Sequence, residues 1–270
     1  MTEIIDRPLP LKPRGGLAVQ YAAIRALFLR ELQTRFGHYR LGYLWAILEP
    51  GLLVGTKLVL FGSIMQRAIP SMSYSLFLIC GVLPFLMVMR SATKSMGAVS
   101  SNKGLFIYRS VKPIDAVIAR VLLEGILYFI VFFIFLFALV YAGDEISFSN
   151  IPALLGCWLI LLIFSLGFSL IMAVLGDLSE ELAKFVKSFF FILYFLSAVM
   201  YSVNTIPVQY HVYILWNPIV HGLEYMRHTI NPDYSINFIS LRYLIYSTII
   251  VLFVGLLSYK SRERIMLKTK

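Results

Sequence analysis

The chain has 270 residues, of which 59% are hydrophobic, 15% aromatic and 14% charged. Soluble domains carry about a quarter charged residues, so this composition excludes an ordinary soluble fold and reads as an integral membrane protein. A formal net charge of +10 would suit nucleic acid, but the basic residues stand beside apolar runs, where they set membrane orientation instead.

Taken in order, residues 1–16 contain Pro8, Pro10 and Pro13 and read as an extended cytoplasmic arm without a signal-peptide pattern. Leu17, Tyr21, Ile24, Leu27, Phe28 and Leu32 then recur at helical spacing, with Arg25 and Arg30 elsewhere on the wheel. That pattern predicts an amphipathic helix in the interface, and the arm and helix together form a unit over 1–40. The stretch Gly37-His38-Tyr39-Arg40-Leu41-Gly42 hands it into the first apolar run. Its two glycines permit a sharp turn, and Arg30, Arg35, His38, Tyr39 and Arg40 suit capture of an anionic head group.

Counting runs of roughly 20 apolar residues gives about six spans, near Tyr43–Met65, Tyr74–Met96, Ala116–Ala142, Ile151–Gly176, Lys184–Val203 and Ile239–Tyr259. These make a transmembrane domain over 41–260, followed by a basic tail over 261–270. Arg90, Lys94, Lys103, Arg109 and Lys112 fill the end of the second span and the connection after it, whereas Gly143–Asn150 carries Asp144 and Glu145 and no base. Both termini are therefore expected in the cytoplasm.

Two connections are unusual. The loop over 91–113 has a turn-forming Asn102-Lys103-Gly104 and then Leu105, Phe106, Ile107 and Tyr108, which a solvated loop does not need and which suit docking into a groove of a partner. The segment over 204–237 is too apolar for a solvated loop and is broken by Pro207 and Pro218. It reads as two short helices dipping back into the outer leaflet.

Chemistry is sparse. Gly51-Leu52-Leu53-Val54-Gly55-Thr56-Lys57 has the wrong spacing for a P-loop, and Gly51 and Gly55 read better as a small-residue packing face. Neither a zinc-protease pattern nor a nucleophile elbow occurs. Cys80 and Cys157 lack metal-ligand spacing, and His221, Glu224 and His228 on one helical face suit polar packing with Arg227 better than a metal. No metal or catalytic residue is assigned, and the chain is not expected to be a complete enzyme. Within the spans, Glu49 and Lys57 share one side of the first helix, and Glu124 follows Arg120 by four residues in the third. Either Lys57 snorkels and Arg120–Glu124 is a structural pair, or these groups face a pore. Tyr43, Trp45, Phe185, Phe189, Phe190, Phe191, Tyr194, Phe195 and Tyr201 offer flat faces on which sugar rings stack. Tyr194 and Tyr201, seven apart, are expected on one face of the fifth span.

The stretches RELQTRFGHYRLGYLWAILEP at Arg30–Pro50, SNKGLFIYRSVKPIDAVIAR at Ser101–Arg120 and WNPIVHGLEYMRHTI at Trp216–Ile230 resemble the membrane permeases of ABC-2 type exporters of group 2 capsular polysaccharide in Gram-negative bacteria. The resemblance implies an all-α fold of the type V exporter kind, with an interfacial N-terminal helix and re-entrant periplasmic helices before the last span. It implies a homodimer in the inner membrane, with two copies of a separate ABC ATPase that bind ATP and Mg, this chain binding no cofactor. A periplasmic adaptor of the polysaccharide co-polymerase kind and an outer-membrane channel are the further partners. The coupling helix maps onto Ser101, Asn102, Lys103, Gly104, Leu105, Phe106, Ile107, Tyr108 and Arg109. The channel wall maps onto Tyr43, Trp45, Glu49, Lys57, Tyr194, Phe195 and Tyr201. The periplasmic gate maps onto Tyr213, Trp216, Asn217, Pro218, His221, Glu224 and Arg227. The implied cargo is a lipid-linked acidic glycan. An O-antigen or teichoic-acid exporter permease is the alternative within transport, and a membrane glycan transferase the alternative outside it.

Overall fold

The computed structural model describes residues 15–36, 42–69, 71–108 and 110–267. The described residues form eight α-helices: α1 Gly16–Phe36, α2 Gly42–Ala68, α3 Tyr74–Ser95, α4 Pro113–Tyr141, α5 Ile151–Leu178, α6 Glu180–Leu196, α7 Pro218–Ile230 and α8 Leu241–Met266. Local chemistry sets many of their starts. Ser73 accepts from the Leu76 N–H before α3, Asn217 from Ile219 before α7, and Ser240 from Tyr243 before α8. Each oxygen satisfies a donor that has no partner within its own helix. Pro113 and Pro218 occupy first-turn positions, where the missing N–H costs nothing.

Five of these helices, over Leu44–Ile64, Tyr74–Ser95, Pro113–Tyr141, Ile151–Leu178 and Leu241–Met266, are long and apolar enough to cross a bilayer. Burial ranks them. In its most apolar window α3 is 83% buried, against 11% for α2 and 17% for α8, so α3 is the central post and α2 and α8 are outer walls. Aliphatic and aromatic residues of α3, α4, α5 and α7 interlock into the main core around Phe77, Leu83, Phe132 and Leu161. Contact between α5 and α8 is close because Gly167 and Gly255 face each other there; a Cβ on Gly167 would come within 2.6 Å of the Leu252 backbone.

The fifth expected span is corrected. Hydropathy predicts a helix through Val203, but α6 has 17 residues and ends at Leu196, giving it a length of about 25 Å against a hydrocarbon core of about 30 Å. After it, Ala198 takes a left-handed φ of 51° and the chain turns. Tyr201 therefore leaves the helical face that carries Tyr194. Within the chain the small-residue face on α2 is left open: a Cβ on Gly55 would meet nothing within 4 Å and one on Gly51 only the Phe135 ring edge.

The other expected elements fold as short helices. Ser100–Ile107 is a 3-10 helix, and the segment before α8 contains a 3-10 turn at Val203–Thr205, a 3-10 helix at Val208–Tyr213 and α7. On α1, Ala23, Leu27 and Phe36 are buried while Leu17 and Tyr21 are exposed. Leu27 joins a second core with Val99, Phe106, Val117 and Tyr259, which binds α1 and the Ser100–Ile107 helix onto α4, α5 and α8. The last helix runs unbroken into the expected tail, as far as Met266.

Candidate functional site

A groove of about 620 Å³ lies between α2, α3 and α6. Leu53, Thr56, Lys57 and Phe61 form its α2 wall, Phe85, Met89, Arg90 and Thr93 its α3 wall, and Phe191, Tyr194 and Phe195 its α6 wall, with Met200 at the end. The rings brace one another edge to face: Phe85 and Tyr194 centroids are 5.2 Å apart, and those of Phe191 and Phe195 are also 5.2 Å apart. The Lys57 ammonium lies 4.7 Å from the centroid of Tyr194. At the α1 end of the groove Arg90 pairs with Glu49.

The channel residues expected from sequence thus separate. Lys57, Tyr194 and Phe195 line one groove, and Glu49 sits at its margin through Arg90. Trp45 is exposed on α2 outside the groove lining. Tyr201 stays close, donating from its hydroxyl to the Phe195 carbonyl at 2.7 Å. Tyr43 falls within α2, but its side chain lies outside the described part of the structure.

Below the groove, charged pairs tie α1 to its neighbours. Glu124 of α4, fully buried, takes Arg35 of α1 and, at 2.8 Å, Lys94 of α3. Arg120 donates to Glu31 at 2.8 Å, to the Lys94 carbonyl at 2.5 Å and to Ser101 Oγ at 2.7 Å. Arg30 donates to Asn102 Oδ1. The i,i+4 spacing of Arg120 and Glu124 therefore does not describe a pair: each reaches across to α1. Of the expected capture residues, Arg30 and Arg35 take these partners within the chain, and His38, Tyr39 and Arg40 lie outside the described residues.

Two residues of the 3-10 helix face inward: Asn102 is 1% exposed and donates to the Ala98 carbonyl at 2.7 Å, and Phe106 is buried in the second core. Ser101 is exposed, and its hydroxyl oxygen accepts from Arg120. Lys103, Gly104, Ile107 and Tyr108 face outward, with Ile107 at 75% and Tyr108 at 65% exposure, and Leu105 is half-buried. Arg109 lies outside the described residues.

At the α7 end the polar residues are sealed into packing. Arg227 has no exposed surface. It stacks 3.5 Å from the Phe77 ring centroid and donates to Glu224 at 3.0 Å, to the carbonyls of Ala198 and Val199 at 3.0 Å each, and to that of Phe77 at 3.4 Å. Gly81 leaves the space for its guanidinium, which would lie 2.5 Å from a Cβ there. Glu224 also accepts from the Tyr234 hydroxyl at 2.5 Å and the Val203 N–H at 3.2 Å. Burial pushes the Glu224 carboxyl up from the usual range, while Arg227, Tyr234 and Val203 pull it back. His221 accepts from the Ser240 N–H at Nδ1, so Nε2 carries the proton that the Leu215 carbonyl accepts at 2.8 Å. Its pKa is lowered by burial, against the opposing effect of that carbonyl, which suits the neutral ring. Asn217 Nδ2 donates to Ser197 Oγ at 2.8 Å, and Pro218 opens α7. Tyr213 and Trp216 remain exposed, the Trp216 indole donating to the Tyr213 carbonyl at 2.8 Å. Among the described residues no three His, Cys, Asp or Glu side chains gather at a metal site.

An ABC-2 type transporter family model matches residues 22–231, spanning the groove, the charged pairs, the 3-10 helix and α7. The chain belongs to the ABC-2 type transporter family. It is 43% identical over 254 residues to the polysialic acid transport protein KpsM of Escherichia coli, covering 94% of this chain and 98% of that protein. It is 28% identical to the capsule polysaccharide export inner-membrane protein BexB of Haemophilus influenzae, covering 92% and 94%. It is 26% identical to the O-antigen export system permease protein RfbA of Klebsiella pneumoniae, covering 92% and 95%. Within this ABC-2 chain, sequence reasoning used Arg90 only as a marker of orientation and missed Phe85 and Phe61 as groove residues. An arginine five residues before the end of α3 was the available signal for the first. Nothing in the local pattern singles out the two phenylalanines.

Proposed function

We propose that this chain is the inner-membrane permease of an ATP-driven exporter that moves lipid-linked acidic capsular polysaccharide from cytoplasm to periplasm. The observation that carries this reading is near full-length similarity to capsule-export permeases combined with an aromatic groove running beside a helix long enough to span the bilayer. Stacked rings favour the apolar C–H faces of sugars without demanding one orientation, so a polymer slides over them. The aromatic wall is accordingly the passage, completed by a second copy of the chain against the exposed face of α2. Both termini lie in the cytoplasm, α6 together with the turn that follows it completes a sixth crossing, and the helices before α8 re-enter from the periplasm.

ATP and Mg belong to two copies of a separate ATPase subunit, docked on the outward residues Ile107 and Tyr108. The basic residues around the α1–α2 junction receive the anionic glycan terminus, and a periplasmic adaptor with an outer-membrane channel takes the product onward. Single cysteines test the passage. Phe191 and Phe195 line the groove, whereas Ile192 is 54% exposed and faces away from it. In membranes holding permease and ATPase, a water-soluble maleimide is expected to label cysteines at 191 and 195 during turnover and to spare 192. The native Cys80 and Cys157 are buried and leave the background low. Equal labelling at all three positions, or labelling at 192 alone, rejects the passage.

A further inference from the structure

The groove has two described basic side chains, and they are treated differently. Arg90 is neutralised by Glu49, whereas Lys57 makes neither an ion pair nor a hydrogen bond with any described residue and holds its ammonium over the Tyr194 ring face. Its position forbids an easy escape. Lys57 follows Leu44 by thirteen residues and precedes Ile64 by seven in the apolar stretch of α2, which puts it about 20 Å from one end and about 10 Å from the other. An ammonium at that depth is costly, and one cation–π contact offsets only part of the cost. Beneath it the Tyr194 hydroxyl is buried and likewise has no hydrogen-bond partner among the described residues. Two adjoining polar groups thus stand unanswered on an otherwise apolar wall.

We propose that Lys57 is a carboxylate-binding station within the passage, which makes transport selective for anionic sugars. A sugar ring stacked on Phe195, which stands edge to face with Tyr194, brings its carboxylate to the ammonium, which leaves the tyrosine face to meet it. A neutral sugar stacks equally well but leaves the lysine uncompensated in hydrocarbon. Charge complementarity commits the site to the polymer: acyl chains and the apolar face of a second copy offer the lysine no counter-charge. The inference rests on the groove being the passage.

The test uses the whole exporter, permease with its ATPase, reconstituted in vesicles as wild type, Lys57→Met and Lys57→Arg. The probes are a lipid-linked oligosialic acid, with one carboxylate per sugar, and the same compound after carboxyl reduction. The reading is the probe concentration giving half-maximal stimulation of ATP hydrolysis, relative to each variant's own unstimulated rate. Lys57→Met is expected to raise that concentration about tenfold for the acidic probe and less than about twofold for the reduced one, with Lys57→Arg close to wild type, as the loss of a single charge-assisted contact implies. An equal rise for both probes would assign the lysine to structure or to the phosphate of the shared anchor, and would overturn the proposal. No rise for either probe overturns it too, with lipid or a second copy filling the groove. Wild type stimulated by neither probe would instead defeat the polysaccharide reading, and the wild-type arm shows that by itself.

Discussion

Replacing Arg227 by methionine removes a charge without opening a large hole, and the structure sets the size of the effect. The guanidinium is the only described counter-charge to Glu224, and breaking a buried pair from one side costs about 3–5 kcal/mol because the other charge is stranded. The carbonyls of Ala198 and Val199 lose their described side-chain donor at the same time. Tyr234 and Val203 still hold the carboxylate, which places the expected loss near the lower bound, about 3 kcal/mol. For a chain of this size that is a fall of about 6–12 °C in the unfolding midpoint, measured by tryptophan fluorescence of purified permease in nanodiscs. Glu224→Gln in the same background relieves the stranded charge, so the double variant should lose less than the sum of the singles by about 1–3 kcal/mol. Arg227→Lys should resemble methionine more than arginine, since one ammonium lacks the fork that spans two carbonyls and a carboxylate. A midpoint within about 2 °C of wild type for Arg227→Met, or strict additivity in the double variant, would refute the reasoning.

Ile107→Asp and Tyr108→Asp are expected to release the ATPase from purified permease while the midpoint stays near wild type, whereas Phe106→Ala, which empties a site in the second core, costs about 3 kcal/mol and leaves the outward face intact. Co-purification combined with the melting curve separates the two. Glu124→Gln leaves Arg35 and Lys94 without their shared carboxylate and should lower the midpoint by about 6–12 °C, with Arg35→Gln the milder because Lys94 remains. An equal fall for both variants would show that Lys94 does not hold Glu124.

Much of the fold was legible because spanning a bilayer imposes length and composition together. Five of the spans follow from that rule, as do the short helices before α8, announced by Pro207 and Pro218. The end of α6 was not legible, because Ala198, Val199, Met200 and Tyr201 continue the apolar run unchanged. The chain turns there around Arg227, 28 residues further along, which is itself placed by Phe77, 150 residues back. Spacing misled in the same way at Arg120 and Glu124. An i,i+4 interval states that two side chains can meet, and it is silent about a second helix bringing Glu31 and Arg35 to each of them. Lys57 and Tyr194 were each identifiable as unusual residues in a span. Their meeting belongs to tertiary structure, since 137 positions separate them.

The cap at Ser179 has a mechanical meaning. That residue closes α5 and opens α6, its hydroxyl accepting from the Glu181 N–H at 3.1 Å, so no slack chain separates the two helices. At its other end α6 runs into the two carbonyls gripped by Arg227. A rod pinned at both ends resists tilting and sliding, and rotation about its own axis is the freedom left to it. Each residue's worth of rotation, about 100°, would carry a different row of side chains to the groove. The aromatic wall is in this sense the fixed jaw of a clamp, and widening falls to α2, the span least held by the rest of the chain.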